Sequence, residues 1–594
     1  MLLQRLVGYA EDHVTTPPFH REREFLWRLD LFTDGRETRL TGLREPDGKR
    51  RGQYRVAPAV TRTVGVAPQL GADDVQYVFG WGDDTTKPVR VAECHTRFAD
   101  LIRAWAEDDP HDAAASRVVR FYGDEDLPVR PEGMGAKDGV LIAVDDELVI
   151  RRPSLIRFWT AEVTRRKGGS TPRAGLCLVC GQARPLVKSM PGTVPKRLVP
   201  GAGNDAALVS VNASVFGYGL TDDLTHTPIC FTCGNAVGSG LTHLLGSRHA
   251  INLPGQDSRM VWWVLGAEEP DVLSGFATGP DPGQVNALLT RLRSGDLARA
   301  EQHAERLGSD ERFCSLTVGG NASRIMVRDW IDMPLPALLL SLARWYRDTL
   351  MVTTGRGDEP VTFGLWQLVL ATGRWEARSG EPGRYTDIGS TSGRRREHVQ
   401  RDLLARALRG LPLPLSVLHH VLHRIASDGH IDAARAALLR LALCDPREKE
   451  SRVSAGLDEN NTDTAYLYGR VFAHLENIQR KAHGNDVNAT FGDKFRGSAQ
   501  RNPVPAVMTG TNLATAWLSK IRRRPETRAA ATALSATLDT LMDKIDSAEP
   551  LTGFLPPQRQ AQFVLGYHQQ RADDSRQARA HREKTDAEQD VSVD

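Results

Sequence analysis

The spacing of apolar residues changes character along the chain. "LLQRLVGYAEDH" places them three and four apart, which predicts a short amphipathic helix. "FLWRLDLFTDGRETRLTGLRE" alternates on either side of "TDGRE", the pattern of a hairpin. "GKRRGQYRVAPAVTRTVGVAPQ" is basic and punctuated by proline and glycine, and predicts an exposed loop. "PVRVAECHTRFADLIRAWAED" returns to helical spacing, and "DGVLIAV" opens a strand.

In the next stretch, "AALVSVNASVFGYG" predicts a strand after a glycine-rich turn, and "CGNAVGSGLTHLLGSR" a helix. "RMVWWVLG" is apolar enough for a strand buried on both faces. "GQVNALLTRLRSGDLARAEQHAERL" reads as helix, and "RFCSLTVGGNASRIMVRDWIDMPL" as two strands around Gly319–Gly320–Asn321. A helix follows near Leu335–Met351, then "RSGEPGRYTDIGSTSGRRREH", a polar stretch expected as a linker or mobile loop. From about residue 401 the period is helical throughout, as in "SVLHHVLHRIAS" and "TAYLYGRVFAHLENIQRKAH", which predicts an all-α bundle. Beyond Arg571 large apolar residues almost vanish, and a disordered tail is expected.

The fold class expected is therefore multi-domain α+β. A mixed α/β N-terminal part carries an embedded four-cysteine zinc module, and an all-α helical-bundle domain follows. The segments expected are 1–165, 166–275 with the cysteine pairs, 276–400, 401–570 and the tail 571–594.

Composition narrows the function. The chain has 594 residues, 40% hydrophobic and 25% charged, with a formal net charge of +2. It can bury a large core, but it is no polycation, so a nucleic-acid surface has to be a local patch. No stretch reaches the ~20 apolar residues of a membrane span; "MPLPALLLSLARW" is interrupted by Arg344. The N-terminus lacks the basic and apolar regions of a signal peptide, so the expected compartment is the cytoplasm, where thiols stay reduced.

Four of the seven cysteines fall in two CxxC pairs, Cys177 and Cys180 in "GLCLVCGQ" and Cys230 and Cys233 in "PICFTCGN". Two residues between cysteines let both sulfurs turn to one ion, and four thiolates suit a closed tetrahedral zinc site. A closed shell leaves no position for substrate, so the zinc expected is structural. The alternatives are a reduced thiol cluster without metal and a thioredoxin-like redox centre, which lacks its βαβ context here. Cys94, Cys314 and Cys444 are isolated and read as buried hydrophobes.

No Walker phosphate loop or HExxH motif is present. His419 and His423 in "LHHVLHR" are spaced for one helical face but lack the glutamate of a metalloprotease, and read as surface histidines. Basic clusters are more suggestive. They comprise Lys49, Arg50 and Arg51 with Arg55 and Arg62, then Arg165–Arg166–Lys167, Arg394–Arg395–Arg396 and Arg522–Arg523–Arg524. Each alone reads as solvated surface; several in a near-neutral chain fit phosphate contacts made at intervals.

Several stretches together resemble one family. "MLLQRLVGYAED" is similar to its opening helix, and "VTRTVGVAPQLGADDVQYVFGW" to its early glycine-rich loop and strand. "GLCLVCGQ" with "AALVSVNASVFGYG" and "SLTVGGNASRIMVRDW" resemble its central segments. "GLDENNTDTAYLYGRVFAHLENIQ", "NATFGDKFRGSAQRNP" and "FVLGYHQQR" resemble its C-terminal signatures. In this order, from residue 1 to about 571, they resemble the large subunit of the type I-C CRISPR surveillance complex (Cascade).

The resemblance implies a non-catalytic subunit working with a guide RNA, backbone and small subunits, target duplex DNA and its displaced strand, and a nuclease-helicase. It implies recognition of a short protospacer-adjacent motif (PAM) by the N-terminal part, while pairing with RNA reads the remaining sequence. Groove readout needs amide or guanidinium groups, which points to Arg55, Arg62 and Gln69. Where the family often shows "PNF.CDN", this chain has "PQLGADD", with Gln69 for the asparagine and Asp74 for a second amide. In the C-terminal region Arg470, Arg480, Lys481, Lys494 and Arg496 are the expected phosphate contacts. The family also implies a separately made small subunit, whose internal start would fall at a non-methionine codon such as Val453 or Val471. The second cysteine pair is not a fixed family feature and rests on spacing alone. A stand-alone zinc-stapled DNA-binding regulator and an unrecognised nuclease remain as alternatives.

Overall fold

The alternating and apolar runs of the first part assemble around one strand. In the computed structural model, β1 (His20–Phe25), β2 (Trp27–Leu31), β3 (Arg39–Gly42), β4 (Gln53–Pro58), β5 (Ala72–Asp74), β6 (Gly139–Val144) and β7 (Glu147–Leu148) follow one another in the chain. The structure describes residues 1–44, 52–60, 65–124, 127–168, 173–211, 213–216, 218–221, 223–266, 275–277, 279–308, 310–355, 359–378, 381–396, 398–448, 453–484 and 489–591. The chain divides into two compact units, residues 1–265 with 313–332, and 266–312 with 333–594.

In the first unit β6, "GVLIAV", lies at the centre. It pairs in parallel with β2 and antiparallel with β5 and β7, while β2 and β3 form the expected hairpin, with Trp27 opposite Gly42. Five of the six β6 residues are buried, as a central strand requires. The helix Pro88–Asp108 supplies Phe98, Ile102 and Trp105 to the same core.

The stretch expected as an exposed basic loop departs from expectation. Its described part contains β4, which alternates outward and inward and pairs antiparallel with β1 from His20–Pro58 to Phe25–Gln53. Period-two alternation over "QYRVAP" is the physical reason; Arg55 within it and Pro58 at its end obscured it.

Beyond β6, β8 (Ala174–Leu176) and β9 (Ala183–Pro185) make a small hairpin. β10 (Ala202–Ala207), β11 (Ala250–Asn252), β12 (Arg259–Leu265) and β13 (Arg312–Pro334) form a second sheet in the order β10-β13-β12-β11. β12 is buried along its middle, as its apolar run predicts. β13 bends at Ala322, where φ is 53°, and the Arg328 side chain returns against Gly319. One core runs from Leu29 and Trp159 through Cys177 and Val237 to Val261 and Leu316, so it crosses the boundary expected near residue 165.

The second unit is mainly helical. β14 (Trp375–Arg378) and β15 (Glu381–Tyr385) pair within the stretch expected as a linker. That stretch is pinned by Arg395, whose guanidinium donates to the carbonyls of Val369, Leu370, Thr386 and Asp387. The helices Val399–Arg409, Leu415–Asp428, Ala433–Leu443, Thr464–His483 and Pro503–Arg522 match the expected helical stretches. The last helix, Pro557–Val591, runs through the residues expected as a disordered tail. Ala572 and Asp573 are buried there, and Asp574 accepts from Asn477 and Gln570. Arginine, glutamine and alanine are good helix formers, so the helix continues after its large apolar residues end. Among the described residues, no helix is long and apolar enough to cross a membrane.

Candidate metal centre and nucleic-acid cleft

The β8–β9 hairpin carries the first cysteine pair at its turn. Gly181, at φ 69°, donates its N–H to the Cys177 carbonyl, which closes the knuckle. The second pair opens the helix Phe231–Gly246, with Cys230 as its N-cap. The two are tied by main-chain bonds, Leu178 N–H to Pro228 O and Val187 N–H to Ile229 O, each 2.9 Å.

All four sulfurs therefore lie within 4.8 Å of one another, and Cys180 and Cys230 are 3.9 Å apart. A tetrahedral ion with ~2.3 Å bonds to sulfur needs sulfur separations of about 3.8 Å, so the four cysteines fit a metal ion. Cys177, Cys230 and Cys233 are buried and Cys180 lies at the surface. Burial works against a Cys177 thiolate, but N–H groups of Cys180, Cys230 and Val179 outweigh it and bring the thiol down to about 7. Burial and neighbouring sulfurs push Cys230 and Cys233 upward. A cation between the sulfurs reverses that penalty, because it favours every thiolate around it. Cys94, Cys314 and Cys444 are buried as expected.

Beside this centre, four sequence-distant segments enclose a cleft of about 1140 Å³. Arg21 and Arg23 of β1, Lys188, Lys196 and Arg324 bring positive charge to it, against Asp74 and Asp205. Gln69 lines the cleft but is buried, contrary to the exposed loop expected for it. Its N–H donates to Asp73 Oδ2 at 2.7 Å, and its Oε1 has no hydrogen-bond partner. Asp73 is fully buried and also accepts from the Asp74 N–H. The turn needs Gly71, because φ is +72° and an added Cβ would lie 2.9 Å from Leu155 and Val149 side-chain atoms. Arg23 bonds the carbonyls of Ala72 and Pro58, and so joins β5 to the β1–β4 pair. Arg21 pairs with Asp205 at 2.8 Å.

The other expected contacts fall into three groups. Lys49, Arg50, Arg51 and Arg62 lie outside the described residues. Arg55 sits on β4, half-buried, donating to Tyr54 O and Gln53 Oε1. In the helical unit Lys481 and Lys494 are exposed, Arg480 pairs with Glu476, and Arg496 donates to Gly429 O. Arg470 departs from the surface position expected for it: it is buried and donates to Gln570 Oε1 from inside the bundle. Its place on the apolar face of its helix, four residues before His474, is the signal that was available. Arg165 and Arg166 are likewise held by Glu162, and Lys167 is buried. Sequence reasoning missed Arg21, Arg23, Lys188, Lys196 and Arg324, because no local spacing connects them.

The fold and site thus define a multi-element α/β protein with a four-cysteine cluster that fits a metal ion and a cationic cleft beside it, joined to a helical unit. A family model described as CRISPR-associated protein (Cas_Csd1) matches residues 3–574, and the chain belongs to that family. No curated protein matches it.

Proposed function

We propose that this CRISPR-associated protein is the non-catalytic large subunit of a type I-C RNA-guided antiviral complex (Cascade), acting in the cytoplasm. In this reading it recognises the protospacer-adjacent motif in duplex DNA, aids duplex opening, and offers a docking surface to the nuclease-helicase. Guide RNA and the backbone and small subunits complete the assembly, and one structural zinc occupies the four cysteines.

The observation that carries the reading is the cleft. It combines an amide with an unused acceptor, Gln69, and cations contributed from separate segments. An amide discriminates base edges, whereas Lys188 and Lys196, both exposed, attract phosphate without regard to sequence. Exposed Lys481 and Lys494 supply a second electrostatic surface for displaced strand or RNA.

The test is motif-scanning binding with the assembled complex. Gln69→Ala should flatten discrimination between motifs by about 1–3 kcal/mol. Lys188→Ala with Lys196→Ala should weaken all motifs alike and lower the salt dependence by about one unit per lysine. Unchanged motif preference in Gln69→Ala would remove the residue from the reader, and magnesium-dependent cleavage by the chain alone would overturn the non-catalytic reading.

A further inference from the structure

A second pocket, of about 380 Å³, opens on the other side of the Arg21 wall, and Arg21 and Thr193 line both it and the cationic cleft. Its size suits one small planar molecule and excludes a helix or duplex. Phe19, Pro191, Pro195 and Leu198 supply apolar surface, and Asn235 and Thr242 supply polar groups from one face of the helix Phe231–Gly246.

Two observations mark the pocket as more than a packing gap. The first is an unsatisfied buried histidine. His20 is 6% exposed and lines the pocket, and its Nδ1 lies 2.8 Å from Pro18 O. A carbonyl only accepts, so Nδ1 carries the proton. Burial holds the ring's pKa below its ordinary value, so the ring is neutral and Nε2 is an acceptor. That Nε2 has no partner. Asn235 is complementary: its Oδ1 accepts from Phe19 N–H at 2.8 Å, which orients the amide and leaves its Nδ2 hydrogens to donate.

The second is backbone strain. Phe19 has φ 58°, a left-handed conformation that is costly for an aromatic residue. It is held there by Asn235 at its N–H, and by Trp159 Nε1 and Ala59 N–H at its carbonyl. Strain fixed from three sides in a pocket wall is characteristic of a binding site.

We infer that this pocket receives a single unstacked nucleobase, drawn from the DNA held in the adjacent cleft. Every base offers an N–H donor beside an acceptor on its pairing edge, which matches His20 Nε2 and Asn235 Nδ2, and two flat faces for the apolar walls. Arg21 at the shared wall and Arg197 at the pocket are placed for the phosphates of the extruded nucleotide. Arg197 is more than half exposed, and its Glu22 partner lies 3.3 Å away. This inference rests on the DNA-recognition reading for its source of nucleotide, and capture of an extruded base would favour duplex opening.

The floor of the pocket permits a clean test. A Cβ on Gly238 would meet nothing nearer than Gly192 O at 3.7 Å, and one on Gly246 nothing within 4 Å. Gly238→Leu and Gly246→Leu should therefore fill the pocket without displacing backbone. The full chain is titrated with each of the four deoxynucleoside monophosphates by calorimetry. At least one should bind, and both fillings should weaken it by about tenfold or more, with thermal melting unchanged. In the assembled complex, 2-aminopurine placed next to the motif should brighten on binding, and Gly238→Leu should abolish the rise. Absence of mononucleotide binding, or binding that survives both fillings, overturns the pocket. A complex that binds duplex but leaves 2-aminopurine dark at every position overturns extrusion. Mononucleotide binding with no duplex recognition by the complex would instead defeat the DNA-reading proposal and leave the base pocket standing.

Discussion

Asp428 is a buried carboxylate whose surroundings settle its charge. Burial opposes ionisation, but Arg435, the Trp375 N–H and Arg424 outweigh it and hold the pKa below the ordinary carboxylate value. Arg435 Nη2 lies 2.5 Å from Asp428 Oδ2, Trp375 donates at 3.0 Å, and Trp375 stacks on His430 at 3.6 Å. A depressed folded-state pKa stabilises the fold above the unfolded value, and this is lost as pH falls through the folded value, below about 4. Asp428→Asn should cost about 3–5 kcal/mol at neutral pH by leaving arginines buried without their anion. Urea melts at pH 7 and at about pH 3 should show that difference shrinking in acid. An equal difference at both pH values would mean that the pair contributes no charge-dependent stability. At this scale the clustering of the four cysteines was legible from spacing. The burial of Arg435 was not, because an arginine that bonds carbonyls inside a bundle has the same local sequence as one in solvent.

Among elements, the helices Thr464–His483 and Pro557–Val591 cross closely. A Cβ on Gly469 would come within 2.0 Å of Phe563 O, and one on Gly566 within 2.2 Å of Tyr466 O. The two glycines let the helix backbones meet, with Tyr466 bonded to Gln569 and Tyr567 to Glu476, each at 2.6 Å. Gly469→Ala should force them apart and destabilise the helical unit by about 1–3 kcal/mol or more, despite alanine's better helix propensity. Thermal denaturation followed by helical circular dichroism would measure it; an unchanged or raised melting temperature would refute the close crossing. The helices themselves were legible, because three- and four-residue spacing is a local signal. β4 and the β14–β15 pair were less so: a short strand is stabilised by a partner that lies elsewhere in the chain.

At the scale of the whole molecule, the cysteine centre joins the β8–β9 hairpin to the start of the helix Phe231–Gly246, far apart in sequence. Elemental analysis should find about one zinc per chain, and Cys177→Ser with Cys233→Ser should abolish it. Because a shared ion contributes its binding energy to folding, chelation should lower the melting temperature of the intact chain. A chain that is metal-free as purified, with unchanged melting after chelation, would reduce the site to a thiol cluster. With a net charge of +2, the DNA affinity proposed above has to come from local fields, so it should fall steeply with salt.

The sequence by itself determined the class of each half, the gathering of the four cysteines, and the family signatures, because these depend on periodicity, ligand spacing and order along the chain. Only the tertiary structure decided which cations share a cleft, that Gln69 is buried in its wall, and that His20, Phe19 and Asn235 meet around a pocket. Those facts depend on β1, the Gly71 turn, the 188–211 segment and the bend of β13 arriving at one place. Side-chain proximity across hundreds of residues is set by packing of the whole core, and no local pattern encodes it.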